Sequence, residues 1–504
     1  MDTQGRAPLW EALLNYREQQ INSWHTPGHK EGSYTWPSWR QVLGEGTLAL
    51  DLTELPGLDN LACPAGVIRS AQEKAAAFFG VARTFFLVNG ASSGLMAVLL
   101  ATCRPGDEVL LPRYAHRSVF SGLILSGARP VYLETPWLDP PGLPLGVPPA
   151  VLARTLQEHP RARLLVLNHP TYEGVVPRCR ELVALAHEHG LAVVADAAHG
   201  AHYGLDPVLP PSPLALGADY VVQSTHKTLG ALTQAAMLHL REEGEGERIA
   251  AALNLLQTSS PSYLLLASLD VARLLAEEGG RRDWGRAVAR ALALRRQLAA
   301  AGITCLRPQD VTGAAAAGLD VTRLLLPAAS TGMSGGEMAL ALRRAGHEVE
   351  LAAPGYILLI ITPGDSEEKI HSLKEALLAL PRVTGSRRVG AKGTGETSPG
   401  SAGVQPRAAA SCPGKAAGKG ETVRGCPPMV LPRQALAPRE AWLAPRRELP
   451  LQKAEGWIAA ELIAPCPPGL ALVVPGEVLA GEVLARLVEL RGPGGKVLVV
   501  DEGR

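Results

Sequence analysis

Between residues 31 and 275, short apolar runs recur at 84–88, 108–112, 129–133, 163–167, 191–195, 219–223 and 235–240, separated by segments of helical periodicity such as CRELVALAHEHG. Runs this short, bounded by turn residues, read as strands buried on both faces. Their alternation with helices implies a mainly parallel sheet covered on either side, an α/β class. In such sheets ligands gather at the carboxyl ends of the strands, which is where chemistry is expected here.

Polar residues cluster at those ends. The run ADYVV leads directly into Gln223, Ser224, Thr225, His226 and Lys227. A lysine at the carboxyl edge of a sheet is how many pyridoxal phosphate (PLP) enzymes present the amine that forms a Schiff base with the cofactor, although a His-Lys pair there is also an ordinary surface turn. After the run ending near Val88 come Asn89, Gly90, Ala91, Ser92, Ser93 and Gly94, and then an apolar helical pattern. Backbone N–H groups at such a helix start, with the hydroxyls of Ser92 and Ser93, can surround a phosphate; plain N-capping by serine is the alternative. In LAVVADAAHGAHYG a strand ends at Asp196, with His199 just beyond. That carboxylate is placed either to pair with a pyridine nitrogen or to cap the next helix. His116, between an apolar run and a helix, is a ring-stacking candidate or a turn residue. The segment LNHPTYEGVVP, 167–177, sets His169, Thr171 and Glu173 after another strand, as a cofactor contact or a turn.

From about 276 to 384 the pattern changes to a long Ala-, Leu- and Arg-rich helix, the strand-like ITCLR and YILLIIT, and the helix SEEKIHSLKEALLAL, which suits a smaller α/β domain. Residues 385–428 are rich in Gly, Pro, Ser and basic side chains with almost no large apolar ones, so they are read as a flexible linker. No aromatics are interleaved there for stacking on RNA. With 504 residues, 46% apolar, and a formal net charge of +1, two or three domains are expected, with no electrostatic case for nucleic acid or an anionic membrane. The seven cysteines include no CxxC pair, so no disulfide framework is expected. Histidine pairs at 25/29, 187/189 and 199/202 have spacings a metal could use, but no metal site is expected. The N-terminus is amphipathic and charged, unlike a signal peptide, and no apolar run approaches membrane-spanning length; the expected location is the cytoplasm.

The strings HTPGHKEG (25–32), NGASSGLM (89–96), RYAHRS (113–118), DAAHG (196–200) and QSTHKTLGALTQAAMLH (223–239) resemble, in order and separation, the ornithine/lysine/arginine decarboxylases of PLP fold type I. GWIAAELIAPCPPGLALVVPGE (456–477) resembles the C-terminal domain of that family. The resemblance implies an aspartate aminotransferase-like large domain at 31–275 after an N-terminal arm and PGHK loop at 1–30. It further implies a small α/β domain at 276–384, the linker 385–428 and a separate C-terminal domain at 429–504. By the same resemblance Lys227 is the Schiff-base lysine, Asp196 the pyridine-nitrogen partner and His116 the stacking residue. Gly90, Ala91, Ser92, Ser93, Ser224 and His226 would hold the phosphate or adjoining cofactor atoms, and His199 or His226 would join Lys227 in proton transfer. Thr258 and Ser259 are expected to reach the active site of a neighbouring subunit in a homodimer. The implied reaction is PLP-dependent decarboxylation of a cationic amino acid, arginine first, for polyamine synthesis; Glu477 and Glu461 are the expected partners of the substrate's distal cation. An aminotransferase, a carbon–sulfur lyase and a PLP-binding regulator are the rival readings. Two positions depart from the family pattern, Cys466 in place of an aromatic and Trp457 in place of a basic residue, and both are expected to bear on the substrate entrance. The early position of the PGHK motif suggests a form without the long N-terminal domain of the larger members.

Overall fold

A computed structural model describes residues 6–381, 431–465, 469–501 and 503. Seven strands form the central sheet, in the order Arg83–Leu87, Ala236–Leu240, Tyr220–Gln223, Ala192–Asp196, Leu164–Asn168, Glu108–Pro112, Arg129–Leu133. Ala236–Leu240 runs antiparallel to both its neighbours and the rest are parallel, so the expected mainly parallel α/β sheet is present, each strand within a residue of its expected span.

Why these runs make a two-sided sheet follows from the pleat, which sends successive side chains to opposite faces. Leu164 and Val166 point into one apolar cluster with the helices Gly90–Thr102 and Arg117–Ser126. Leu165 and Leu167 point into another with Pro149–Glu158 and Cys179–Glu188. The first helix docks closely because Gly94 has no side chain. A Cβ there would lie 2.7 Å from Leu87 Cδ1 and 3.0 Å from Val222 Cγ1, so the helix start is held against the carboxyl edge of the sheet.

A single helix, Tyr263–Ala300, begins at a Ser262 cap, and the boundary expected at 275 falls inside it. Its first half packs with the helices Pro8–Glu18 and Val67–Phe79 under the large sheet. Its second half, through Ala291, Leu294 and Leu298, joins the core of a three-stranded antiparallel sheet of Arg323–Pro327, Tyr356–Ile360 and Leu351–Ala353. ITCLR is not a strand: after Ala300 the chain buries Ile303, Cys305 and Leu306, makes one ladder-like bond from Leu306 N to Leu325 O, and turns into a helix at Pro308. Pro308 has no N–H to continue a ladder. The expected helix at the end of this region is present at Glu367–Leu378, capped by Ser366.

Beyond 431, the strands Arg446–Pro450 and Lys496–Val500 pair antiparallel beside the helix Gly481–Arg491. Ala471 and Val474 from this region enter the core of the large sheet. The expected linker at 385–428 and Cys466 lie outside the described residues. Among the described residues no helix is long and apolar enough to cross a membrane.

Candidate active site

At the carboxyl ends of the parallel strands lies a cavity of about 290 Å³. Each strand end contributes the residues that follow it. Arg83–Leu87 is followed by Gly90, Ala91 and Ser92, and Glu108–Pro112 by Tyr114 and His116. Leu164–Asn168 supplies Asn168, Thr171, Tyr172 and Glu173; Ala192–Asp196 supplies Asp196 and His199; Tyr220–Gln223 supplies Ser224, His226 and Lys227. Glu350 from beside the smaller sheet and Leu470 from the C-terminal region complete the wall.

The Nζ of Lys227 lies 2.9 Å from Nε2 of His199. Burial, then the Lys227 and Arg323 charges, push the His199 imidazole well below its usual pKa, so it stands neutral and accepts from the lysine at Nε2. The proton is then on Nδ1, which is buried and has no partner among the described residues. Asp196 is buried opposite Asn168 in the parallel register and accepts from Ala198 N at 3.1 Å. His116 caps the helix Arg117–Ser126, its Nδ1 receiving Ser118 N at 3.3 Å, and burial lowers its pKa. His226 binds Ala235 O through Nδ1 at 3.0 Å and is likewise pushed down by desolvation.

The donor set suits PLP. Amides at the start of a 13-residue helix with the hydroxyls of Ser92 and Ser224 suit a phosphate, Asp196 a protonated ring nitrogen, and Lys227 a carbonyl carbon. Unpartnered buried atoms at the cavity, His199 Nδ1 and Asn168 Oδ1, leave polar groups for a bound molecule to satisfy.

Eleven of the expected residues therefore converge: Gly90, Ala91, Ser92, His116, Thr171, Glu173, Asp196, His199, Ser224, His226 and Lys227. Others do not. Ser93 turns away, its hydroxyl donating to Gly90 O at 2.8 Å, because adjacent helical residues point about 100° apart. Thr258 and Ser259 are exposed outside this chain's cavity. Glu477 is buried and saturated by Arg113, Tyr132 and Val474 N, which leaves it nothing for a substrate. Glu461 is clamped to Arg491 and Leu498 N within the C-terminal region. Trp457 sits in the C-terminal core under the Arg447 guanidinium and does not line the cavity. His169 is packed behind the wall, bonded to Pro211 O at 3.0 Å, while its neighbours Thr171, Tyr172 and Glu173 face inward. Sequence reasoning passed over Asn168, Glu350 and Leu470. Asn168 was detectable as a polar residue closing a strand, like Asp196; Glu350 and Leu470 carry no such signal.

Two of the cavity's carboxylates come from Glu173 and Glu350. Glu173 is buried, accepts from Tyr356 Oη at 2.9 Å, and has its pKa raised by desolvation. Glu350 is exposed and accepts from Tyr172 Oη at 2.6 Å.

Comparison with known proteins agrees with this geometry. The profile "Orn/Lys/Arg decarboxylase, major domain" matches residues 7–369 and "Orn/Lys/Arg decarboxylase, C-terminal domain" matches 427–490. An arginine decarboxylase of Bacillus subtilis (strain 168) is 34% identical over 95% of this chain and 92% of its own length. The structure of a lysine decarboxylase of Francisella novicida superposes with a TM-score of 0.79, at 19% identity, covering 98% of this chain and 81% of its own. Serine palmitoyltransferase from S. paucimobilis, solved with bound PLP and myriocin, matches at 0.50 and 18% identity over 61% of this chain and 75% of its own. The fold is thus that of the PLP fold type I enzymes. With its strand-end lysine and aspartate in one cavity and both family profiles matched along its length, the chain belongs to the Orn/Lys/Arg decarboxylase family.

Proposed function

We propose that this enzyme decarboxylates arginine with PLP as its cofactor, supplying an amine for polyamine synthesis, and that it works as a cytoplasmic homodimer. The observation that carries the chemistry is the Lys227–His199 contact at 2.9 Å in the cavity that also holds Asp196. The cationic substrate is supported by the two glutamates on that wall, Glu173 and Glu350, and by the arginine decarboxylase from Bacillus subtilis that is similar to this chain. Thr258 and Ser259, exposed in the single chain, suit contact with a second subunit.

When bound, PLP supplies an electron sink for the pair left behind by departing carbon dioxide. Lys227 would hold its aldehyde carbon, Asp196 its ring nitrogen, His116 its face, and the Gly90–Ser92 amides with Ser224 and His226 its phosphate. Neutral His199 accepts a hydrogen bond from Lys227 Nζ at Nε2 and so aims the amine, and the pair would together handle the proton that the product carbon needs. Leu95, Pro144 and Leu470 line the same space and keep water from it. Glu350, held by Tyr172, orients the distal cation at the outer end. Purified protein given PLP and, separately, arginine, lysine and ornithine tests this: carbon dioxide and the amine from arginine well above the others are expected. A preference for another substrate would reassign the specificity, and no amine from any would refute the reaction.

A further inference from the structure

The turn that carries His116 is gripped at both ends by the C-terminal region. At its start, the Arg113 guanidinium donates through Nε to Glu477 Oε1 and through Nη2 to Oε2, each at 3.0 Å, and also to the carbonyls of Ala471 and Leu472. The two side chains are 5% and 2% exposed, so this is a fully desolvated pair. Tyr132 Oη and Val474 N complete the glutamate's shell at 2.9 and 2.8 Å. A buried charge with its hydrogen bonds all made holds one geometry, and losing a partner leaves an uncompensated ion.

At the end of the turn, Arg117 N donates to Gly469 O at 3.0 Å, and His116 pairs with Leu470 as an antiparallel bridge. Gly469 has φ +79°, and a Cβ on it would stand 3.0 Å from His116 Nε2 and 3.1 Å from Cδ2. The imidazole is therefore held on one side by Ser118, which bonds Nδ1, while on the opposite edge the missing side chain of Gly469 leaves room for the ring and little more. The next residue, Leu470, lines the cavity.

We propose that Glu477 and Gly469 are positioning residues: the Arg113–Glu477 pair docks the C-terminal region on the His116 turn, and Gly469 sets the plane of the His116 ring from behind. The two family regions then make one site, and the catalytic side chain they share is oriented by a segment more than three hundred residues away along the chain. This rests on the reading of His116 as a cofactor-contacting group, and the test separates the two.

The variants are Gly469→Ala, which sets a methyl against the ring and strains the φ +79° backbone that carries it, and Glu477→Gln, which weakens the docking; Tyr132→Phe is the milder substitute if Glu477→Gln does not fold. The first readout is the rate of His116 modification by diethyl pyrocarbonate, read by peptide mass spectrometry on protein without PLP. The second is the circular dichroism of PLP in the loaded enzyme, with kcat and KM. A changed rate of His116 modification in both variants, faster in Glu477→Gln where the turn is loosened, with His199 unchanged, is expected. An altered PLP dichroic band is also expected, with kcat lower by about tenfold at a similar KM, since small misplacements of a positioned group act on kcat. Wild-type modification rates at His116 in both variants would overturn the proposal, whatever the activity. If His116 modification changes while the PLP band and turnover stay as in the wild type, the docking stands and the assignment of His116 to the cofactor falls.

Discussion

Arg323 donates from Nη2 to the backbone carbonyl of His199 at 3.0 Å, so a side chain of the smaller sheet holds the residue whose imidazole meets Lys227. The guanidinium lies in a buried group with Asp320 and His202. His202 binds Asp320 at 3.1 Å and stacks on Trp284 of the long helix with ring centroids 4.1 Å apart. His202 and Arg323 hold the Asp320 carboxyl far below its usual range despite its burial.

Arg323→Leu is therefore expected to leave Asp320 with one cation fewer in a dry environment and to cost about 3–5 kcal/mol of stability. Urea unfolding followed by circular dichroism measures it. A loss within ordinary surface-mutation range would show that the group contributes little.

Lys227→Ala is expected to fold like the wild type, since the amine lies in a cavity, yet to lose the visible absorbance that PLP gives the loaded enzyme and all turnover. His199→Gln should keep that absorbance and lose about 10²–10⁴-fold in kcat, the range for a group that moves a proton. A coloured, active Lys227→Ala protein would remove the central assignment.

Glu350→Gln should raise the KM for arginine by about tenfold or more, as expected for loss of a charge-assisted contact of roughly 1.5–3 kcal/mol, with a smaller change in kcat. Tyr172→Phe, which removes the donor to Glu350, should move KM in the same direction by less. An unchanged KM in Glu350→Gln would place the distal cation elsewhere.

Two buried histidines give stability a pH dependence. Desolvation pushes His169 down to about 4 and His239 down to about 3, against 6.5 for an exposed imidazole. As pH falls below 6.5 the unfolded chain takes up these protons and the folded one does not, so acid favours unfolding. His169 alone should remove on the order of 3 kcal/mol between neutral pH and about pH 4, with stability level above pH ~7. Melting curves from about pH 5 to about pH 8 should show this decline, and His239→Gln should make it shallower.

Much of this arrangement was legible because its signals are local. A buried strand announces itself as an apolar run, and a polar residue at its end, as at Asp196 or Lys227, needs no distant partner to be noticed. What was missed depends on contacts between distant parts of the chain. Glu477 looked like a substrate carboxylate until Arg113, 364 residues away, was found against it. Ser92 and Ser93 are equivalent in sequence, and only the helix phase tells which one faces the cavity. The boundary expected at 275 lies inside one element for a related reason: the helix Tyr263–Ala300 serves two cores, and its periodicity does not change where one gives way to the other.

The wall of the cavity is drawn from points between Gly90 and Leu470. A nascent chain leaving the ribosome thus exposes Lys227, Asp196 and His116 well before Leu470 is made. Until then the cavity lacks the wall residue that the C-terminal region supplies, and the His116 turn lacks the Gly469 backbone behind it. A messenger truncated after the smaller sheet would accordingly yield a protein that keeps Lys227, Asp196 and His199 together but leaves the His116 turn without its C-terminal grip.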